Sequence, residues 1–250
     1  MILHIPHASP LIPREMRDQI VLADDELAVE LGHMTDAFTD ELFASADAAT
    51  IRPPLSRLLV DVERFSDDAM EPMSIVGMGM IYTMTSDGKP LRRPMQSGEK
   101  NLLKSRYYDA HHRALLNAVE KELGAAGKAM IIDCHSFPDQ PLHCDRDQSM
   151  PRPDFCIGTN SFHTPHELTR MVTRYLEGEG FLVGIDRPFE GTMVPIASYQ
   201  TDVRVTSIMI EVNRKLYMNE STGMKSNGFD RTRQRLQDLL KIIAKFQQRN

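Results

Sequence analysis

Cysteine is scarce in this chain of 250 residues. Only Cys134, Cys144 and Cys156 occur, no two of them in a Cys-x-x-Cys pair, and an odd count leaves one thiol over in any pairing scheme. A disulfide scaffold is therefore not expected; reduced thiols in a cytoplasmic protein are. Long apolar runs are missing too. No stretch approaches the roughly 18 residues that span a bilayer, and the first residues lack a basic segment followed by an apolar signal core. Basic residues are not in excess. The 29 Lys and Arg against 35 Asp and Glu give a net charge of −6, without the concentrated positive face that a phosphate backbone requires. Neither nucleic acid nor a membrane is an expected partner, and the oligomeric state is left open. Also absent are a Gly-x-Ser-x-Gly elbow, a phosphate-cradling glycine-rich loop, a His-x-x-Glu pair, an internal repeat and a low-complexity tract.

What is present is enough apolar material, 41% of residues, to bury a sizeable core, and no linker divides it. One domain over residues 1–250 is expected. Runs dense in Ile, Val, Leu, Met and Phe lie at residues 2–5, 58–62, 129–134, 155–157, 181–185 and 205–212. They lack polar alternation, as strands covered on both faces do. Helical spacing fills the intervals: residues 25–46 behind Asp24 as N-cap, a helix from near Ser97 to a stop at Gly124, one opened by the capping box Thr164-Pro165-His166-Glu167, and one from about Asp230. Strands interleaved with helices predict a three-layer α/β architecture on a mixed, mostly parallel sheet. Residues 71–98 and 138–153 read as irregular. Both follow strand ends that carry polar residues, so they are expected to wall or cover a pocket at the carboxyl edge of the sheet.

Four polar strand ends supply the chemistry. His7 follows the first apolar run past the Pro6 kink, His135 follows 129–134, Asp61 sits in 58–62, and Glu211 ends Ile208-Met209-Ile210. Two imidazoles and two carboxylates are the parts of a hydrolytic zinc site, which needs three protein ligands, an open position for water and a carboxylate to take the water's proton. His7 and His135 are the expected imidazole ligands, with Asp133 placed to orient His135. The third ligand stays open between Asp61, which is preferred, and its rivals Glu63 and Asp36. Strand alternation points Asp61 and Glu63 to the same side and cannot separate them. Glu211, in an apolar setting that raises a carboxyl pKa, suits a general base; a buried salt bridge to Arg214 or Arg64 is the plainer account.

Arg64, Arg187 and Arg214 each follow a strand end, and a guanidinium grips a carboxylate with two parallel hydrogen bonds. Arg187 ranks first among them because residues 187–192 read as a rigid turn. His112 fits a hydrogen-bonded core histidine better than a ligand, and the capping box accounts for His163 and His166 without metal.

These segments together resemble the N-formylglutamate amidohydrolase family: His-Ile-Pro-His-Ala-Ser at 4–9, Thr-Asp at 35–36 with Glu-Leu-Phe at 41–43, Val-Asp-Val-Glu-Arg-Phe at 60–65, Ile-Asp-Cys-His-Ser-Phe at 132–137, Arg-Pro-Phe-Glu-Gly at 187–191 and Glu-Val-Asn-Arg-Lys-Leu-Tyr at 211–217. Each is weak alone; the ordered set is specific. The resemblance implies a phosphorylase/hydrolase-like fold related to zinc carboxypeptidases. It also implies hydrolysis of N-formyl-L-glutamate to formate and L-glutamate in histidine catabolism, with one zinc or another divalent ion. It maps a zinc ligand onto His135 and the base onto Glu211, and adds Asn213 beside Arg214 as a substrate contact. Family members often carry Asp-x-Asn-Arg where this chain has Asp61-Val62-Glu63-Arg64, which favours Asp61 over Glu63. They also carry Pro-Tyr-His where it has Ala110-His111-His112. Both departures leave room for another carboxylated amide, such as an N-acyl amino acid or a peptidoglycan fragment, or for a binding protein without turnover.

Overall fold

The two longest apolar runs make the two central strands, because only a strand flanked on both sides can hide such a run from water. In the computed structural model, which describes residues 1–96 and 98–249, these are β3 (Ala129–Phe137) and β6 (Val205–Asn213). Every residue of β3 is buried. β1 (Ile2–His4) pairs in parallel with β3 and with the edge strand β2 (Ala49–Ile51). Beyond β6, β4 (Phe155–Gly158) runs antiparallel, and β5 (Val183–Ile185) is parallel to β4. The sheet is thus six-stranded, ordered β2-β1-β3-β6-β4-β5, mixed and mostly parallel.

Alternation divides the side chains between two faces. Leu3 of β1, Met130, Ile132 and Cys134 of β3, and Ile208, Ile210 and Val212 of β6 join one core with α2 (Thr39–Leu42), α5 (His166–Gly178) and α6 (Phe229–Arg249). Ile2, Ile131 and Val205, of the opposite parity, pack on Leu115 and Val119 of α4 (Asp109–Ala126). That second parity also carries His4, Asp133, His135 and Glu211, so all four project from one face near the carboxyl edge. The registers His4↔Asp133 and His135↔Glu211 set them side by side. A third apolar cluster, with Leu55, Leu58, Leu59, Met80, Tyr82 and Leu91, lies under the loops beside α1 (Asp24–Met34) and α3 (Glu99–Leu103).

Several expectations are corrected. Residues 58–62 form a turn, with Leu59 N–H donating to Ser56 O at 3.0 Å and Asp61 N–H to Met80 O at 2.8 Å; their apolar side chains fill the third cluster. The strand at the sheet edge is instead the short β2, whose mostly exposed Ala-Thr-Ile carries almost no apolar signal. The helix expected over 25–46 breaks after Met34, and Asp36 sits in the break. It begins at Asp24 rather than being capped by it, and Glu26 accepts the Ala23 N–H at 2.9 Å. The helix start expected near Ser97 falls outside the described residues. α4 runs past Gly124 and ends at Gly127, whose φ of 70° closes it. The expected Thr164 capping box does not form, because its hydroxyl donates to Ser207 O at 2.7 Å.

Gly158 is glycine for want of room. A Cβ there would lie 2.2 Å from Gly191 O and 2.3 Å from Met209 Cε, where residues 187–191 cross β4. Gly158→Ala is expected to lower stability by about 1–3 kcal/mol through overpacking, read as a shifted urea midpoint; an unshifted midpoint contradicts the close crossing.

Candidate active site

The break after α1 and the turn at 57–64 bring carboxylates over the ends of β1 and β3. His7 is buried, and its Nε2 lies 2.9 Å from Asp61 Oδ1. Asp61 is fully buried and occupied on both oxygens: Oδ1 also accepts Glu63 N–H, while Oδ2 accepts from Arg57 Nη2 at 2.8 Å and Tyr82 Oη at 2.6 Å. Burial would raise its pKa; Arg57 above all, and then His7, hold it well below the usual carboxylate range. The other nitrogen of His7, Nδ1, is 3.7 Å from Asp36 Oδ2 and, among the described residues, has no hydrogen-bond partner.

His135 repeats the arrangement. Its Nε2 meets Asp133 Oδ1 at 3.1 Å and Glu63 Oε1 at 3.2 Å, and its Nδ1 meets Asp36 Oδ2 at 3.2 Å. Burial disfavours a charged ring here, but Glu63 and Asp133 outweigh it and push the pKa well up. Asp36 thus faces the Nδ1 atoms of both rings with Oδ2, while Oδ1 accepts from Arg214 Nη2 at 3.2 Å. Burial works against its ionised form, yet the two imidazoles keep its pKa well below normal. On the Nε2 side, Glu63 lies 3.6 Å from His7, and His7, Glu63 and His135 could together hold an ion. Asp61 is not in that group.

Glu211 is 6% exposed, and among the described residues its Oε2 is buried without a hydrogen-bond partner. Burial raises its pKa to about 8; His135 and Arg214 pull the other way, and Asp36 and Glu63 add to the rise. Arg214 is itself committed, donating to Gly32 O, His33 O, Ser136 Oγ and Asp36. Arg64 is freer. Its Nε lies 3.4 Å from Asp61 Oδ2 and its Nη1 3.7 Å from Glu71 Oε1, both beyond good hydrogen-bonding distance, and with His7, His135 and Glu211 it lines one open cavity. Asn213 is not at the cavity; its amide donates to Asp139 and Pro153 O. Arg187, ranked first from sequence, is 60% exposed, pairs with Asp147 at 3.2 Å and is not part of the cavity lining. A turn that fixes the backbone at 187–191 aims this side chain outward.

Sequence reasoning passed over His4, His111, Arg57 and Tyr82. His4 Nδ1 meets Asp133 Oδ1 at 2.7 Å and its Nε2 meets His111 Nε2 at 2.8 Å, so a buried line runs from α4 through His4 and Asp133 to His135. His111 is pushed down to about 2 by burial, then by His4 and His112, and stays neutral. Strand parity was the signal for His4, which shares a face with Asp133. His112 is hydrogen-bonded to Val62 O at 2.8 Å, as expected of it, but also borders the cavity.

An α/β sheet with two imidazoles, a buried carboxylate cluster and a high-pKa glutamate at one edge has the anatomy of a hydrolase. The sequence model of the N-formylglutamate amidohydrolase family matches residues 1–218, so the chain belongs to that family, whose members are hydrolases of amide bonds. The chain is similar to the crystal structure of N-formylglutamate amidohydrolase from Ralstonia eutropha, at 24% identity and a TM-score of 0.87, with 99% of this chain and 94% of that one covered. A gene product of Agrobacterium tumefaciens aligns at 17% identity and a TM-score of 0.64, covering 98% and 91%. At such identities the likeness speaks for the fold. No curated protein sequence matches. No helix among the described residues is long and apolar enough to cross a membrane.

The raised pKa of Glu211 makes a stability prediction for the metal-free protein. Its folded pKa, about 8, exceeds the ordinary 4.5, so the stability it contributes is present below about pH 4.5 and is lost as pH rises toward 8. Relative to the parent, Glu211→Gln should gain up to about 1.4 kcal/mol per pH unit across that window. Denaturant titrations at several pH values check this; parallel curves would mean that Glu211 ionises normally.

Proposed function

We propose that this chain is a metal-dependent amidohydrolase acting on a carboxylated amide of the N-formyl-L-glutamate type. The observation that carries the reading is that, among the buried side-chain atoms of the described residues without a hydrogen bond, His7 Nδ1 and Glu211 Oε2 are an imidazole nitrogen and a carboxylate oxygen lining one cavity. Ligating histidines characteristically give their other N–H to a carboxylate or carbonyl. His7 does so to Asp61 and His135 to Asp133 through Nε2, which turns both Nδ1 atoms toward Asp36. His7 Nδ1, His135 Nδ1 and Asp36 are therefore the proposed ligands, and imidazole with carboxylate suits zinc. The Nε2-side group with Glu63 is the second reading. It is disfavoured because it would require His7 to release Asp61. In the favoured reading Asp61 is the anchor of His7, and in neither is it a ligand, contrary to the expectation from sequence: its oxygens are already taken by four donors.

A divalent ion held by His7, His135 and Asp36 would supply Lewis acidity for the amide carbonyl and for water. Glu211, poised near neutrality, accepts the proton of the attacking water and returns it to the departing nitrogen. Arg64, with its donors least engaged, grips a substrate carboxylate. Histidine catabolism and a cytoplasmic location accord with the proposed substrate.

Formate release from N-formyl-L-glutamate, with metal analysis of the purified protein, is the direct test. His7→Ala should cut zinc content to background on either side; Asp36→Ala should do the same while Glu63→Gln retains it, and the opposite pattern for these last two moves the ion to the Nε2 side. Glu211→Gln should keep metal and lose about two to four orders of magnitude in kcat; near-normal turnover would make Glu211 a structural group. Arg64→Ala should cost about 1.5–3 kcal/mol in kcat/KM, the worth of a hydrogen bond to a charged group, and an unchanged kcat/KM for a dicarboxylate substrate excludes that contact.

A further inference from the structure

The cavity around His7 and Glu211 is about 1770 Å³, well above the roughly 300–1,000 Å³ of sites that enclose a small ligand. N-formyl-L-glutamate, with two carboxylates and a one-carbon acyl group, has little apolar surface to offer it. Yet two segments of the cavity wall, residues 65–73 and 189–199, carry apolar side chains among their charged ones. Phe65, Met70 and Met73 stand on one, Phe189, Ile196 and Tyr199 on the other. Phe65, Met70 and Ile196 are 53%, 64% and 82% exposed, and apolar side chains left open beside a reaction centre mark a surface that a ligand covers.

Both walls are held by buried groups rather than left loose. The buried Glu71 carboxylate accepts Phe65 N–H and Met73 N–H, each at 2.9 Å. On the other wall Met193 N–H donates to Asp133 Oδ2 at 2.7 Å, and Gln200 N–H to His163 Nε2 at 2.8 Å. Asp133 Oδ1 also meets His135, so this wall and the reaction centre share one anchor.

Resting on the reading above, we infer that the substrate carries, besides its carboxylate, an apolar group larger than formyl, which lies between these walls. Two sources share that chemistry: an acyl chain on the nitrogen, or the side chain of the amino acid itself. The experiment compares N-formyl-L-glutamate, N-hexanoyl-L-glutamate and N-formyl-L-leucine. It measures kcat/KM with the parent enzyme and, independently of turnover, Kd by calorimetry with metal-loaded Glu211→Gln. Burying a few methylenes should tighten Kd by roughly tenfold or more for one of the two larger compounds, and which one improves identifies the source. Ile196→Asp and Phe65→Ser should each shrink that advantage at least fivefold. Kd values equal within twofold across the three compounds, or an advantage that survives both substitutions, overturn the inference. A Kd advantage that both substitutions remove, without turnover of any compound, upholds it and refutes the hydrolytic reading instead.

Discussion

The candidate site depends on the buried carboxylate of Asp61 and on how it is neutralised. A fully buried carboxylate is costly unless hydrogen bonds and a cation meet it. Arg57 and Tyr82 on one oxygen, with His7 and the Glu63 amide on the other, satisfy that demand. The same contacts set the geometry around it. Holding His7 by Nε2 turns Nδ1 toward Asp36, and the tight turn that buries Asp61 swings Glu63 toward His135. Tyr82 belongs to the long irregular segment after the turn, so that segment is fastened to the end of β1 through one side chain. Opposite charges make the arrangement self-consistent, which is why Asp36 and Asp61 stay ionised despite burial.

The sheet supplies the second constraint. β1, β3 and β6 are parallel and in close register, so a polar residue of the right parity near each carboxyl end is bound to meet its neighbours. His135 and Glu211 are direct cross-strand partners, and their juxtaposition costs no loop ordering. By contrast Asp36, Asp61, Glu63 and Arg64 come from non-repetitive backbone, and each is pinned by hydrogen bonds: Asp36 N–H to His7 O at 3.0 Å, and Tyr108 Oη to Arg64 O at 2.9 Å.

That division explains what was legible in the sequence. The central strands, the mixed α/β sheet and the strand-end positions of His7, His135 and Glu211 follow from apolar runs and period-two alternation, both local signals. The run at 58–62 carries the same signal for another reason, because Leu58 and Leu59 bury into a cluster under loops instead of into the sheet. Period-two reasoning then gave Asp61 and Glu63 one direction, where a turn gives them different ones. β2 was invisible because an edge strand of three mostly exposed residues needs no apolar run. Arg187 misled because a rigid turn orders the backbone, while the direction of its side chain depends on Asp147, forty residues away. His111 was hidden by His112: neighbours on a helix are about 100° apart, and which of them faces the sheet depends on packing that spacing alone does not specify.

Charge bookkeeping joins the parts. Asp36, Asp61, Glu63, Asp133 and Glu211 converge on a region whose nearby guanidinium groups are Arg57, Arg64 and Arg214, and Glu71 beside Arg64 adds a further carboxylate, so negative groups outnumber positive ones. Protons or a divalent cation would offset that surplus. The raised pKa values of His135 and Glu211 show where protons go when they carry the balance. A cation bound at the Nδ1 side would instead favour neutral His135 and an ionised Glu211, the forms that a ligand and a base require. On the proposed reading, the buried carboxylates do more than orient two imidazoles. Their surplus negative charge links metal affinity to the protonation of the base, so one electrostatic arrangement both attracts the ion and prepares the group that works beside it.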